Sequence, residues 1–250
     1  MTNTTAKKLY SDLLIKTIAN TIYGDMPQDP WASGKYEKAI RDEGRDWPSR
    51  AHSMVGIKRL ENLRDLVERC LENNIPGDFI ETGVWRGGAC ILMRGILAAH
   101  NEADRKVFVC DSFDGLPVAD PASYPADEGD THHEYRELAI PLETVQSNFD
   151  IYGLLDDQVD FHKGWFKDTL PALKGHKFAL IRLDGDMYQS TMEALENLYE
   201  GLSTGGYCII DDYGAIPSCK QAVDDFRRDN NINEPMESVD WTGVWWQKNT

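Results

Sequence analysis

The chain lacks close cysteine pairs, long apolar runs and any excess of positive charge. Cys70, Cys90, Cys110, Cys208 and Cys219 stand singly, mostly inside apolar stretches, so no zinc ligand set is expected and they read as buried thiols. The start of the chain carries Lys7, Lys8 and Lys16 among broken apolar positions, which is not the uninterrupted apolar core of a signal peptide. The most apolar later stretch, Cys90 to Ala99, is interrupted by Arg94 and falls well short of the roughly 20 residues that span a bilayer. A cytoplasmic, reduced protein with no membrane partner is expected. Twenty-six Lys and Arg against 42 Asp and Glu give a net charge of −16, which would repel a phosphate backbone and excludes nucleic acid as a partner.

What remains is an ordinary globular composition, 250 residues long and 41% hydrophobic, enough for one α/β core. Tyr10, Leu14, Ile18 and Ile22 recur at helical spacing, as do Ile57, Leu60, Leu63, Leu66, Val67 and Cys70, so two helices are expected before the first strand. The Pro-, Gly- and Trp-rich stretch between them, Gly24 to Arg50, reads as an ordered loop. Beyond Pro76-Gly77, short apolar runs alternate with helices: Phe79-Ile80, Val107 to Cys110, Val159 to Phe161, Phe178 to Leu183 and Tyr207 to Ile210. That alternation predicts a doubly wound, mostly parallel sheet. Ser190-x-x-Glu193 and Ser218-x-x-Gln221 have capping-box spacing and predict helix starts. Ser238 to Gln247 reads as a closing pair of strands with a turn near Thr242-Gly243.

Ligands of such a sheet sit beyond the carboxyl ends of its strands. After the first strand comes Glu81-Thr82-Gly83-Val84-Trp85-Arg86-Gly87-Gly88, a glycine turn without the G-x-G-x-x-G spacing that cradles a pyrophosphate. A carboxylate at Glu81 suits a cofactor with cationic groups and no phosphate, as S-adenosylmethionine is. Asp111, ending the second strand, stands where an acid can accept from both ribose hydroxyls.

The fourth strand ends in Asp184-Gly185-Asp186 and the fifth in Asp211-Asp212, so neighbouring strands should bring four carboxylates to one rim. Like charges that close raise one another's pKa and are tolerated when a cation neutralises them. An all-oxygen set without nearby Cys or His pairs points to a hard ion, with magnesium first. The competing reading is that strand-end aspartates are solvated loop residues or helix caps; the two serine capping boxes argue against it.

Five motifs then carry a resemblance: Glu81 to Gly88, Asp111-Ser112-Phe113-Asp114-Gly115-Leu116-Pro117, Gly164-Trp165-Phe166-Lys167-Asp168-Thr169-Leu170-Pro171, Leu183-Asp184-Gly185-Asp186-Met187-Tyr188 and Ile210-Asp211-Asp212-Tyr213. In this order they resemble the macrocin O-methyltransferase family. The resemblance implies a Rossmann-like class I methyltransferase, with a seven-stranded sheet and an added helical N-terminal region. It implies S-adenosylmethionine as donor, Mg2+ as metal and a deoxysugar hydroxyl of a macrolide or similar natural product as acceptor. Carried over, Asp184, Asp211 and Asp212 hold the metal and Asp186 is the general base. Glu81, Thr82, Gly83, Asp111 and Ser112 hold the donor, with Trp165 along its adenine and Met54 near its methionine end. Residues 1–56 are expected to cover the site and to join a homodimer contact. Residues 57–250 form the core, and 117–143 a substrate lid that shapes the acceptor pocket with Trp31 and Trp47. His132 and His133, within that lid, read as solvated or packing residues.

Three rivals share some of these features. A metal-dependent catechol-type O-methyltransferase has the same donor, ion and sheet but a phenolic acceptor. A nicotinamide-dependent oxidoreductase would need the phosphate-binding glycine pattern that is missing. A non-enzymatic S-adenosylmethionine-binding scaffold would leave the acidic cluster without a purpose.

Overall fold

A computed structural model describes residues 5–249, so the first four residues of the expected N-terminal region lie outside the described residues. Helix α1 (Ala6–Ile18) is capped by the Thr5 hydroxyl, which accepts from the Lys8 N–H, and it buries Leu14, Ile15 and Ile18. It ends there: Asn20 turns the backbone to φ 50°, and Ile22, expected on the same apolar face, lies outside the helix and is exposed.

The loop from Gly24 to Arg50 is ordered and holds a short helix, α2 (Lys38–Asp42), so three helices rather than two precede the sheet. Its order comes from Arg41, whose side chain is fully buried. The guanidinium donates to Asp25 at 2.8 Å, to Asp46 at 2.7 Å, and to the carbonyls of Ala19 and Asp25. A buried cation satisfied on every side turns a Pro- and Gly-rich segment into a fixed wall. Helix α3 (Ile57–Glu72) follows, with Leu60, Leu63, Leu66, Val67 and Cys70 buried on one stripe as the periodicity predicts.

The sheet contains β1 (Asp78–Thr82), β2 (Val107–Asp111), β3 (Val159–Lys163), β4 (Phe178–Leu183), β5 (Leu202–Ile210), β6 (Glu237–Ser238) and β7 (Val244–Gln247). Their spatial order is β3-β2-β1-β4-β5-β7-β6. The first five run parallel; β7 lies antiparallel to β5, and β6 to β7, which is the closing pair expected from the sequence. Helices α4 (Gly88–His100), α5 (Leu142–Ile151), α6 (Phe166–Thr169), α7 (Tyr188–Leu198) and α8 (Pro217–Asp229) complete the fold. Strand alternation sends Phe79, Val109, Leu180 and Tyr207 into a core with α1, α3 and α4. Ile80, Phe108, Ile181 and Cys208 enter a second core with α7 and α8. Each fully buried Leu, Ile or Phe contributes roughly 1.5–3 kcal/mol of transfer free energy. In α4 every residue from Gly88 to Leu97 is buried, and Arg94 is tolerated there because Asp156 accepts from its Nε at 3.0 Å.

The two capping boxes do not form. Helix α7 starts at Tyr188 after Met187, and α8 at Pro217 after Ile216, with no side-chain bond from either capping residue. Ser190 and Ser218 therefore sit inside the first turns. The reason differs in the two cases: Pro217 at the first helical position has no N–H to satisfy, whereas the first N–H groups of α7 are taken by Asp127, 61 residues earlier in the chain.

Candidate active site

Register decides which strand ends meet. Thr82 stands opposite Cys110 on one side and Leu183 on the other, and Leu183 stands opposite Ile210. The next residue of each strand therefore falls in one row: Asp111, Gly83, Asp184 and Asp211. The ladder bonds continue through it, since Gly83 N–H donates to the Cys110 carbonyl, Asp184 N–H to Thr82 and Asp211 N–H to Leu183, each at 2.9 Å. At Gly83 (φ 80°) a Cβ would come within 1.7 Å of the Asp184 carbonyl oxygen, so the close approach that requires glycine is to the neighbouring turn.

The carboxylates do converge, and two arginines that the sequence reading did not use converge with them. Arg182, on β4 and 2% exposed, donates to Glu81, to Asp184 at 2.8 Å and to Asp211. Arg59, on α3, donates to the other oxygen of Asp211 and, at 3.0 Å, to Asp240. Glu81 also accepts from the Cys90 thiol at 2.8 Å, so the partners it makes are Arg182 and Cys90. Among the described residues no ion pair reaches Asp186 or Asp212. Burial pushes the Asp212 carboxyl well above the usual range, and Asp186, Asp184 and Asp211 push it further. Burial, then Asp211, also raises Asp184 well above that range against the pull of Arg182. Asp186 rises to about 6 through burial, opposed by His132 and assisted by Asp211 and Asp130.

One carboxylate oxygen from each of Asp184, Asp211 and Asp212 lies within 4.8 Å of the others. This all-oxygen set fits a hard divalent cation: both Asp211 oxygens keep a lone pair beyond their arginine bonds, and among the described residues Asp212 has no ion-pair partner. Arginine thus neutralises part of the cluster, and a metal alone is not needed to balance it.

These groups open into a cavity of about 690 Å3. Met54, Glu81, Gly83, Asp111, Ser112 and Trp165 line it together with Asp184, Asp186, Asp211 and Asp212. Thr82 does not; its side chain is fully buried beneath the row. Asp111 accepts from the Val84 and Phe113 N–H groups, each at 2.7 Å, which fixes the two turns around it on the cavity wall. The outer wall is aromatic. Trp31 and Trp47 meet edge to face with centroids 4.8 Å apart, and Tyr135 of the lid segment packs on Trp47 at 5.3 Å. His132 lines the same wall, half-buried, its Nδ1 2.7 Å from an Asp130 oxygen. Trp241 closes another side, donating to the Glu43 carbonyl and lying under the Arg45 guanidinium at 4.0 Å.

The family model for macrocin-O-methyltransferase (TylF) matches residues 2–248. The chain belongs to this family. A tetracenomycin methyltransferase from Streptomyces olivaceus, which acts at the 4'-oxygen of 8-demethyl-8-(2,3-dimethoxy-alpha-L-rhamnosyl)-tetracenomycin C, is 51% identical over 244 residues, covering 97% of this chain and 93% of the relative. Mycinamicin III 3''-O-methyltransferase from Micromonospora griseorubida is 45% identical over 253 residues, 99% of each. The solved structure of the O-methyltransferase NovP matches with a TM-score of 0.92 at 50% identity, covering 98% of this chain and 100% of that one. The protein is thus an O-methyltransferase with the class I methyltransferase fold, which sets aside the oxidoreductase and scaffold readings. Among the described residues no helix is long and apolar enough to cross a membrane.

Proposed function

We propose that this O-methyltransferase moves the methyl group of S-adenosylmethionine to a sugar hydroxyl of a glycosylated natural product, with Asp186 as general base. A divalent cation, magnesium first, would be held by Asp184, Asp211 and Asp212. One observation carries the reading: the cluster leaves Asp186 and Asp212 without arginine partners at the edge of a cavity of about 690 Å3. A macrolide or similar acceptor is favoured because the relatives named above act at the 4'-oxygen of a rhamnosyl-tetracenomycin and the 3''-oxygen of mycinamicin III.

S-adenosylmethionine supplies the electrophilic methyl, and a bound dication lowers the pKa of an acceptor hydroxyl. The chain's own residues do the rest. Asp111 would accept from the ribose hydroxyls of the bound donor, Glu81, Gly83 and Ser112 would line its turn with Thr82 buried behind them, Met54 would lie near its methionine end and Trp165 along its adenine. Asp186, raised to about 6 yet ionised at neutral pH, accepts the hydroxyl proton. Trp31, Trp47 and the lid over 117–143 exclude water and orient the acceptor, with residues 1–56 as the cover. A homodimer belongs to the same reading; Leu9 and Leu13 leave an apolar face of α1 in solvent.

The decisive experiment follows methyl transfer from labelled S-adenosylmethionine to a panel of glycosylated polyketides, with product mass and methyl position read by mass spectrometry and NMR. Transfer to a sugar oxygen, abolished by EDTA and lowered at least a hundredfold in Asp186→Asn, is expected. Activity that survives both treatments would remove the metal and base assignments, and transfer only to phenols would remove the sugar acceptor.

A further inference from the structure

Helix α7 begins two residues after Asp186, and the turn between them is tight: Met187 N–H donates to the Gly185 carbonyl at 2.6 Å, and Asp186 itself sits at φ 57°, a left-handed conformation that side chains disfavour. Such a turn needs a firm support on its helical side. The capping residue Met187 offers no side-chain acceptor. Support comes instead from Asp127, at the end of a 3-10 turn in the lid segment and only 1% exposed. Its Oδ1 accepts from the Tyr188 N–H at 2.7 Å and its Oδ2 from the Gln189 N–H at 2.9 Å. A carboxylate so placed satisfies two orphan donors and sits at the positive end of the helix dipole.

The same segment shapes the acceptor side of the cavity. Three residues on, Asp130 accepts from the His132 N–H at 2.9 Å and binds its Nδ1, orienting the ring on the cavity wall. Farther along, Tyr135 packs on Trp47, and the Glu137 carbonyl accepts from the Trp85 indole at 2.9 Å. The lid is therefore fastened to the cofactor turn at one end and to the catalytic turn at the other.

We propose that Asp127 is a positioning residue that latches the acceptor lid to the turn carrying Asp186, so that the acceptor wall and the general base take up their places together. The inference rests on the roles given above to the lid and to Asp186. When the lid lifts, α7 loses its N-terminal acceptor and the Asp184–Asp186 turn loses its support; when it docks, both are restored.

Hydrogen–deuterium exchange on Asp127→Ala and Asp127→Asn tests this, alongside calorimetry with S-adenosylhomocysteine and turnover of mycinamicin III as a probe acceptor. In Asp127→Ala, exchange should rise at least fivefold both in the lid and in peptides covering 184–190, while S-adenosylhomocysteine affinity stays within twofold. Turnover should fall at least tenfold in kcat. Asp127→Asn, which keeps one acceptor oxygen, should fall between the parent and the alanine variant, and it carries the test if Asp127→Ala does not fold. Faster exchange confined to the lid, or a matching loss of S-adenosylhomocysteine affinity, overturns the latch. Asp186→Asn in the same assay separates the two ideas, since its full activity would overturn the base assignment and leave the exchange result standing.

Discussion

Arg182 donates through Nη2 to Oδ1 of Asp211 inside the sheet, so one of the three acids that converge on a candidate cation site is already bound to a fixed positive charge. Glu81 and Asp184 share the same guanidinium. Replacing Arg182 by Met should leave Glu81 and Asp184 without a cation and Asp211 with Arg59 alone, and destabilise the fold by about 3–5 kcal/mol in urea denaturation. Arg182→Lys should recover less than half of that loss, because an ammonium cannot reproduce the planar fork. Near-parental stability of the Met variant would show that the acids find other partners.

Asp212 should behave in the opposite way. It is 8% exposed, surrounded by Asp184, Asp186 and Asp211, and among the described residues has no ion pair of its own. Asp212→Asn relieves repulsion, so melting without metal should be unchanged or higher than in the parent. The upward shift that magnesium gives the parent should disappear, since a ligand that binds only the folded state stabilises it in proportion to its occupancy. A magnesium shift that persists in Asp212→Asn places the ion elsewhere.

Acid should weaken the N-terminal wall through Asp25. Burial pushes its carboxyl up, but hydrogen bonds from Arg41, the Arg50 N–H and Asn20 outweigh that and the net shift is downward. A depressed folded pKa means stability that is present above the unfolded value of about 3.9 and lost as pH falls through the folded one. Asp25→Asn should therefore cost about 1–3 kcal/mol at pH 7. The gap to the parent should narrow as pH drops below about 4. A gap that stays constant down to pH 2 would show that the carboxylate's charge contributes nothing.

The aromatic rim gives a kinetic prediction. Trp31 is 59% exposed and meets Trp47 edge to face on the wall of the cavity. Trp31→Ala and Trp47→Ala should raise the acceptor KM roughly threefold to tenfold, the equivalent of about 0.5–1.5 kcal/mol of aromatic contact. Calorimetric affinity for S-adenosylhomocysteine should stay within twofold. Loss of donor affinity instead would assign these rings to the other half of the cavity.

The strand ends were legible because a parallel sheet leaves a local signature: an apolar run, then a glycine or an acid. Asp111, Asp184 and Asp211 could be placed on one rim from that pattern alone. What holds them there could not. Arg182 sits in the run Phe178 to Leu183, where hydropathy reads a buried strand, and Arg59 sits in an amphipathic helix, where it reads as surface charge. An unpaired arginine is costly in either place, and the residues that resolve the cost for Arg59, Asp211 and Asp240, lie 152 and 181 positions away. A charged residue inside a wholly buried strand was the one available signal. The capping box of α7 failed for a related reason: the spacing was right, but the distant Asp127 carboxylate had taken over the helix start, while in α8 Pro217 had no N–H to be capped. Asp127 and His132 lie in a segment without periodicity, where only tertiary packing says which side chains face inward.

The contact between Gly83 and the Asp184 carbonyl leaves no room for even a methyl group, so the donor turn and the acidic turn behave as a single moulded part. Acceptor range must then be altered without disturbing either. Libraries aimed at new glycosides should leave positions 83 and 184 alone and draw their diversity from 31 and 47, where rings on the cavity wall can be resized while the reacting groups stay in register.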